Sequence, residues 1–194
     1  KSPYNKELHR QAYTAFYSLI FKSLKNKKIF FAEIGILNNA SIKMWKKFFP
    51  YAIIYGFEFF DRYILAAKKD KLKEVFYQKI DVKKRSSIGS TFRKLKKKFN
   101  IIIDDSTHQF NDQINVIKEV IPFLETGGYL VIEDIPINDK SFTEDIFYEK
   151  LKNELKFFDF ISFIDCNHII RCSKGSNNTR LLILIRNKEK FFSS

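Results

Sequence analysis

Apolar and polar positions along the chain follow two rhythms that take turns. The first 27 residues place Tyr13, Phe16, Tyr17, Ile20, Phe21 and Leu24 at helical spacing, which predicts an amphipathic helical lead-in over residues 1–27. A short apolar run, Ile29–Ile34, closes at Gly35 and reads as a buried strand. Ser41 is placed to cap a helix with Ile42, Trp45, Phe48 and Phe49 on one face and Lys43, Lys46 and Lys47 outward, ended by Pro50. The alternation then repeats. Strands are predicted near Ala52–Phe57, Val75–Ile80, Asn100–Ile103 and Tyr129–Ile132, and helices near Tyr63–Leu72, Ser90–Phe99 and Phe110–Leu124, with Thr126-Gly127-Gly128 as a turn. A helix near Thr143–Leu155 and two β-like runs, Phe158–Asp165 and Arg180–Ile185, follow; the loop Ser173–Asn178 between those runs predicts an antiparallel hairpin at one sheet edge. Strands alternating with helices imply a doubly wound, Rossmann-like α/β fold with a mostly parallel sheet.

Composition adds limits. The 194 residues, 45% of them apolar and 16% aromatic, suit one globular domain spanning the chain and exclude a disordered one. Lys and Arg number 35 against 22 acids, a net charge of +13, but only 7 of the 35 are Arg. The basic runs Lys22–Lys28, Lys68–Lys73 and Lys94–Lys98 are interleaved with apolar residues at helical spacing. They read as solvated helix faces rather than a nucleic-acid stripe. Two cysteines supply no disulfide framework, and no apolar run reaches the roughly 18–20 residues of a membrane span. A cytoplasmic protein is expected, with no membrane partner. Cys166, His168 and Cys172 have metal-like residue types but no fourth ligand, so buried thiols are the preferred reading.

In an open α/β sheet, ligands bind beyond the carboxyl ends of the strands. The residues that follow the predicted strands are Glu33 and Gly35, then Glu58, Asp81, Asp104-Asp105 and Glu133-Asp134, with His108 three residues past Asp105. Seven carboxylates and one histidine therefore converge on one rim of a basic protein. Glu58 stands where an acid hydrogen-bonds a ribose, some 20–25 residues beyond a glycine turn. Asn38 and Asn39 occupy the stretch where a dinucleotide fold carries further glycines, so the loop fits an adenosine ligand without a pyrophosphate. Asn39 is able to take a left-handed conformation there.

Asp104-Asp105 and Glu133-Asp134 lie one crossover apart, which brings their strand ends together. Four clustered carboxylates repel one another, and a hard divalent cation, Mg²⁺ or Mn²⁺, resolves the conflict. His108 then suits a general base. The competing reading makes one acid, Asp104 foremost, a cap for the following helix.

These residues resemble class I S-adenosylmethionine-dependent methyltransferases, and among them the metal-dependent group of macrocin-type sugar O-methyltransferases and cephalosporin-hydroxylase-like proteins. The match is carried by His9, Tyr13-Thr14 and Tyr17 leading to Glu33-Ile34-Gly35, by Ile54-Tyr55-Gly56-Phe57-Glu58, and most specifically by Asp104-Asp105-Ser106-Thr107-His108 with Gly127-Gly128 through Glu133-Asp134. The family usually has Gly where Asn39 and Ser106 stand. The resemblance implies cofactor contacts at Glu33, Gly35, Asn39, Ser41, Glu58, Asp81 and Asp104, with Glu58 on the ribose and Asp81 near the adenine. It implies a metal on Asp105, Glu133 and Asp134, and His108 as base. The expected reaction is transfer of a methyl group from S-adenosyl-L-methionine to a sugar hydroxyl. A nucleotide-diphosphate sugar destined for a cell-surface polysaccharide is the favoured acceptor, and a homo-oligomer is compatible. An RNA-modifying enzyme, a catechol-like small-molecule enzyme and a non-catalytic adenosine-binding module stay open as alternatives.

Overall fold

The computed structural model describes residues 13–137, 139–166 and 180–187. They build a seven-stranded sheet flanked by helices: α1 (Tyr13–Ile20), β1 (Phe30–Ile34), α2 (Ala40–Phe48), β2 (Ile53–Glu58), α3 (Asp61–Lys68), β3 (Val75–Lys79), α4 (Arg85–Leu95), β4 (Phe99–Asp104), α5 (Phe110–Val120), β5 (Leu124–Ile135), α6 (Glu144–Leu151), β6 (Phe158–Asp165) and β7 (Arg180–Arg186). The strand order is β3-β2-β1-β4-β5-β7-β6. The first five strands in that order are mutually parallel. β7 runs antiparallel to β5, and β6 antiparallel to β7 at the edge. The expected doubly wound sheet and edge hairpin are both present. The connecting loop Ser173–Asn178, together with His168 and Cys172, lies outside the described residues; Cys166 is buried.

Strand alternation sorts the core into two layers. Phe31, Ile101, Ile103 and Val131 face α1, α2 and α3, where they meet Tyr17, Phe21, Trp45 and Phe49. Ala32, Ile102, Leu130 and Ile132 face the opposite layer, with Ile88, Phe92, Ile117 and Phe147. Both sheet faces are covered, so the parallel strands read as continuous apolar runs.

Several predicted boundaries shift. α4 begins at Arg85, five residues before the expected Ser90, because Ile88, Gly89 and Phe92 form its buried stripe. Phe99 belongs to β4 instead of the helix. The predicted helix to Leu124 ends at Val120, where Pro122 turns the chain into a short 3₁₀ segment, Ile121–Phe123. Thr126-Gly127-Gly128 is an irregularity within β5, whose register shifts between Phe99 and Ile101 of β4, and not a turn before a strand. Ser41 is not the cap of α2. The cap position is Asn39, in the left-handed region at φ 67°, and Ser41 lies inside the helix. Among the described residues, no helix is long and apolar enough to cross a membrane.

Candidate active site

The carboxyl ends of β1, β2, β4 and β5 open into a cavity of about 1110 Å³. α1 and α2 wall one side through Tyr13, Thr14, Tyr17, Lys43 and Lys47. That volume exceeds the upper end of ordinary ligand pockets and suits a cofactor and a second reactant together.

The first loop is built for tightness. Gly35 adopts φ +91°, and a Cβ placed on it would lie 2.1 Å from the carbonyl oxygen of Asp105. Only glycine lets the β1 loop pass this close to the β4 loop. Backbone bonds lock the crossing: Gly35 N–H donates to the Phe57 carbonyl at 2.8 Å, and Asp105 N–H to the Ile34 carbonyl at 2.8 Å. Glu58 pins the same loop from β2. Its Oε2 accepts from Leu37 N–H at 3.2 Å, and its Oε1 from Phe59 and Phe60 N–H at 2.8 and 3.1 Å. Glu33, Gly35, Ser41, Glu58 and Asp81 all line the cavity.

Two expected cofactor residues do not. Asn39 is 1% exposed and its side chain is occupied as a strut. Its amide donates to Asp70 at 2.8 Å and its carbonyl accepts from Tyr77 at 2.9 Å, which anchors the left-handed turn to α3 and β3. Asp104 also turns away. Consecutive strand residues face opposite sides of the sheet, so Asp105 enters the cavity while Asp104 points beneath it and accepts from Ser106 Oγ at 2.6 Å. Nor does Asp104 cap α5, whose cap position is Gln109.

Asp105, His108, Glu133 and Asp134 line the same cavity, with Asp105 next to the Gly35 loop. Alternation alone would send Glu133 and Asp134 to opposite faces. The register of β5 against β7 shifts between Ile132 and Ile135, and Asp134 takes φ 56°, so both carboxylates reach the cavity. His108 is also left-handed, at φ 57°. Strained residues that persist in this way are overdetermined by their surroundings, and Thr107, bonded to Asp112 at 2.7 Å, supplies part of that hold. His108 Nε2 stands 3.7 Å from Asp134 Oδ2 and 3.9 Å from Asp105 Oδ1. Its Nδ1 is buried and, among the described residues, has no hydrogen-bond partner.

The electrostatics mark this group of acids as strained. Desolvation, followed by the charges of Glu133, Asp134, Glu33 and Asp104, raises Asp105 well above the carboxylate range. Burial raises Glu133 likewise, against the hydrogen bond from Tyr17 that lowers it. Burial pushes Glu33 up to about 8, with Ser41 and Trp45 favouring its ionised form. Asp104 rises to about 7 for the same first reason. One group of donor atoms that could hold a metal ion forms among the described residues: Asp105, His108 and Asp134 each offer an atom within 4.8 Å of the others. Glu133, expected as a third acidic ligand, instead directs Oε1 at Tyr17, 2.5 Å away. In the sequence, Tyr13 and Tyr17 stand in the helical lead-in and in the stretch that carries the resemblance, with no role of their own. Their contact with the acids, across more than a hundred residues, left no local signal.

A sheet of this order with one reversed strand, and a cavity over the ends of its parallel strands, is shared with several solved methyltransferases. Among solved structures, MycE methyltransferase from the mycinamycin biosynthetic pathway, in complex with Mg, SAH and mycinamycin VI, superimposes with a TM-score of 0.69 at 18% identity, over 94% of this chain and 51% of that one. In sequence, the chain is 26% identical over 130 residues to the 8-demethyl-8-(2-methoxy-alpha-L-rhamnosyl)-tetracenomycin-C 3'-O-methyltransferase of Streptomyces olivaceus, covering 63% of this chain and 32% of that protein. It is 27% identical over 131 residues to the demethylmacrocin O-methyltransferase of Streptomyces fradiae, covering 63% and 31%. These matches span about a third of the length of the curated relatives. No protein-family profile matches the sequence. In sequence the chain is thus similar to sugar O-methyltransferases over part of its length, and in fold it is similar to solved methyltransferases.

Proposed function

We propose that this chain carries the catalytic site of an S-adenosyl-L-methionine- and divalent-metal-dependent O-methyltransferase that acts on a sugar hydroxyl. The observation that carries the reading is a single cavity lined by two chemically distinct sets of residues: the Gly35 loop with Glu58 and Asp81, and His108 among Asp105, Glu133 and Asp134.

The residues present fit a hard cation. Three acids crowd this part of the cavity, two of them raised by burial and by neighbouring negative charges, and carboxylate oxygens are the donors that suit Mg²⁺ or Mn²⁺. Asp105, Glu133 and Asp134 would hold it. The bound groups supply an electrophilic sulfonium methyl and a Lewis acid that lowers the pKa of a hydroxyl it touches. The protein's own part follows from position. Glu58 is placed to accept from the cofactor ribose while its remaining lone pairs fix the loop, and Asp81 lies on the adenine side. Glu33 and Ser41 flank the methionine end. His108 takes the hydroxyl proton at Nε2, and α1 and α2 exclude water from the reacting groups.

A nucleotide-diphosphate sugar used for cell-surface polysaccharide is the acceptor we favour, supported by the +13 charge and by Lys43, Lys47 and Lys83 on the cavity wall. The test is methyl transfer from labelled S-adenosylmethionine to a panel of nucleotide sugars and free glycosides. Transfer that EDTA abolishes and Mg²⁺ or Mn²⁺ restores is the expected result. Transfer indifferent to EDTA would overturn the metal reading, and transfer only to uncharged glycosides would overturn the acceptor.

A further inference from the structure

Tyr13 and Tyr17 sit four residues apart in α1, on the one face that turns toward the sheet. Their hydroxyls reach two adjacent acids at the end of β5. Tyr17 donates to Glu133 Oε1 at 2.5 Å, and Tyr13 donates to Asp134 Oδ1 at 3.0 Å while accepting from Asp134 N–H at 3.3 Å. Both tyrosines are buried, at 5% and 3% exposure. Packing alone does not call for a hydroxyl at either position. The Tyr17 ring stacks on Phe21, with centroids 5.4 Å apart, and lies 5.2 Å from Trp45, contacts a phenylalanine ring would make equally well. The hydroxyls instead divide each carboxylate in two. Asp134 gives Oδ1 to Tyr13 and leaves Oδ2 facing His108 at 3.7 Å. Glu133 gives Oε1 to Tyr17. A charge-assisted bond of this kind fixes a carboxylate rotamer, and partners behind metal ligands orient them.

We propose that Tyr17 and Tyr13 are positioning residues for the divalent cation: from a separate helix, they hold Glu133 and Asp134 so that the carboxylate oxygens turned away from the tyrosines converge with Asp105 on one point. α1 is thereby a working wall of the metal site, and its docking and cation binding are reciprocally linked. This inference rests on the metal reading of the site.

The test is Mn²⁺ affinity of the whole chain, read from the signal of free Mn²⁺ by electron paramagnetic resonance, so no acceptor is needed. Tyr17→Phe, Tyr13→Phe and the control Phe21→Leu are compared with wild type, with S-adenosylmethionine affinity and thermal unfolding measured alongside. Tyr17→Phe is expected to bind Mn²⁺ roughly 10–100-fold more weakly with its cofactor affinity kept, as for other partners of metal ligands. Phe21→Leu, which disturbs the stacking and leaves the hydroxyls in place, should keep wild-type Mn²⁺ affinity. Mn²⁺ binding by Tyr17→Phe within twofold of wild type overturns the inference while leaving the metal reading standing. Wild type that binds no Mn²⁺ overturns the metal reading itself. Should Tyr17→Phe fail to fold, Tyr13→Phe is judged by the same thresholds.

Discussion

Replacing Gly35 with alanine should damage the candidate cation site through the loop that carries Asp105. The added Cβ would lie 2.1 Å from the Asp105 carbonyl oxygen, 2.6 Å from its carbon and 2.7 Å from Ser106 Cα, all backbone atoms without a flexible end to swing away. The two loops must separate by roughly 1 Å to regain ordinary contact. Strain at φ +91° costs about 1–2 kcal/mol, and forced repacking about 1–3 kcal/mol more. Gly127→Ala is the matched control. It shares a left-handed φ, +72°, but nothing lies within 4 Å of its added Cβ, so only the backbone cost applies. At roughly 2–4 °C per kcal/mol for a domain of this size, Gly35→Ala should lower the unfolding midpoint by about 4–20 °C and Gly127→Ala by about 2–8 °C, the larger shift falling to Gly35→Ala. The larger effect is functional. A displacement near 1 Å in positioned groups costs on the order of 10²-fold in rate, and because the displaced backbone is that of Asp105, Gly35→Ala should also weaken Mn²⁺ binding. Calorimetric unfolding of both variants and a Mn²⁺ titration decide it. Equal midpoint shifts with Mn²⁺ affinity intact would refute the reasoning.

Two further outcomes follow from the site. His108→Ala should leave cofactor binding unchanged and lower turnover by roughly 10²–10⁴-fold, and a variant with near-normal turnover would remove His108 from the reaction. Metal-free protein should lose stability as pH rises from about 4.5 to 8, because folded Glu33, at about 8, and Asp104, at about 7, hold protons that the unfolded chain has released. Added Mg²⁺ should flatten the slope by favouring the ionised forms of Asp105 and Glu133, which burial also raises; thermal melts across pH in EDTA and in Mg²⁺ check it, and a melting midpoint that rises with pH in EDTA would contradict it.

The fold was legible because each βα repeat announces itself: Ile29–Ile34, Ile101–Ile103 and Leu130–Ile132 are compact apolar runs, and the helices between them carry spaced stripes. Boundaries slipped where two rhythms overlap, as at Phe99, or where a residue that disfavours helix lies on the buried stripe, as Gly89 does in α4. The site was legible as a set of acids at strand ends, since topology alone collects those ends. Which acids face the cavity was not. Asp104 obeys alternation and turns under the sheet, whereas Asp134 escapes it through an irregular register and a left-handed backbone, neither of which its neighbours in sequence signal. The hold of Tyr13 and Tyr17 on β5 depends on how α1 docks, a tertiary contact with no local pattern.

The central claim, a cofactor site at the Gly35 loop and Glu58, is tested most directly by calorimetric titration of the chain with S-adenosylmethionine, in parallel with Glu58→Ala. Saturable binding by wild type, weakened at least tenfold in a folded Glu58→Ala protein, is the predicted result. No binding by wild type, or equal binding by both, would contradict the account.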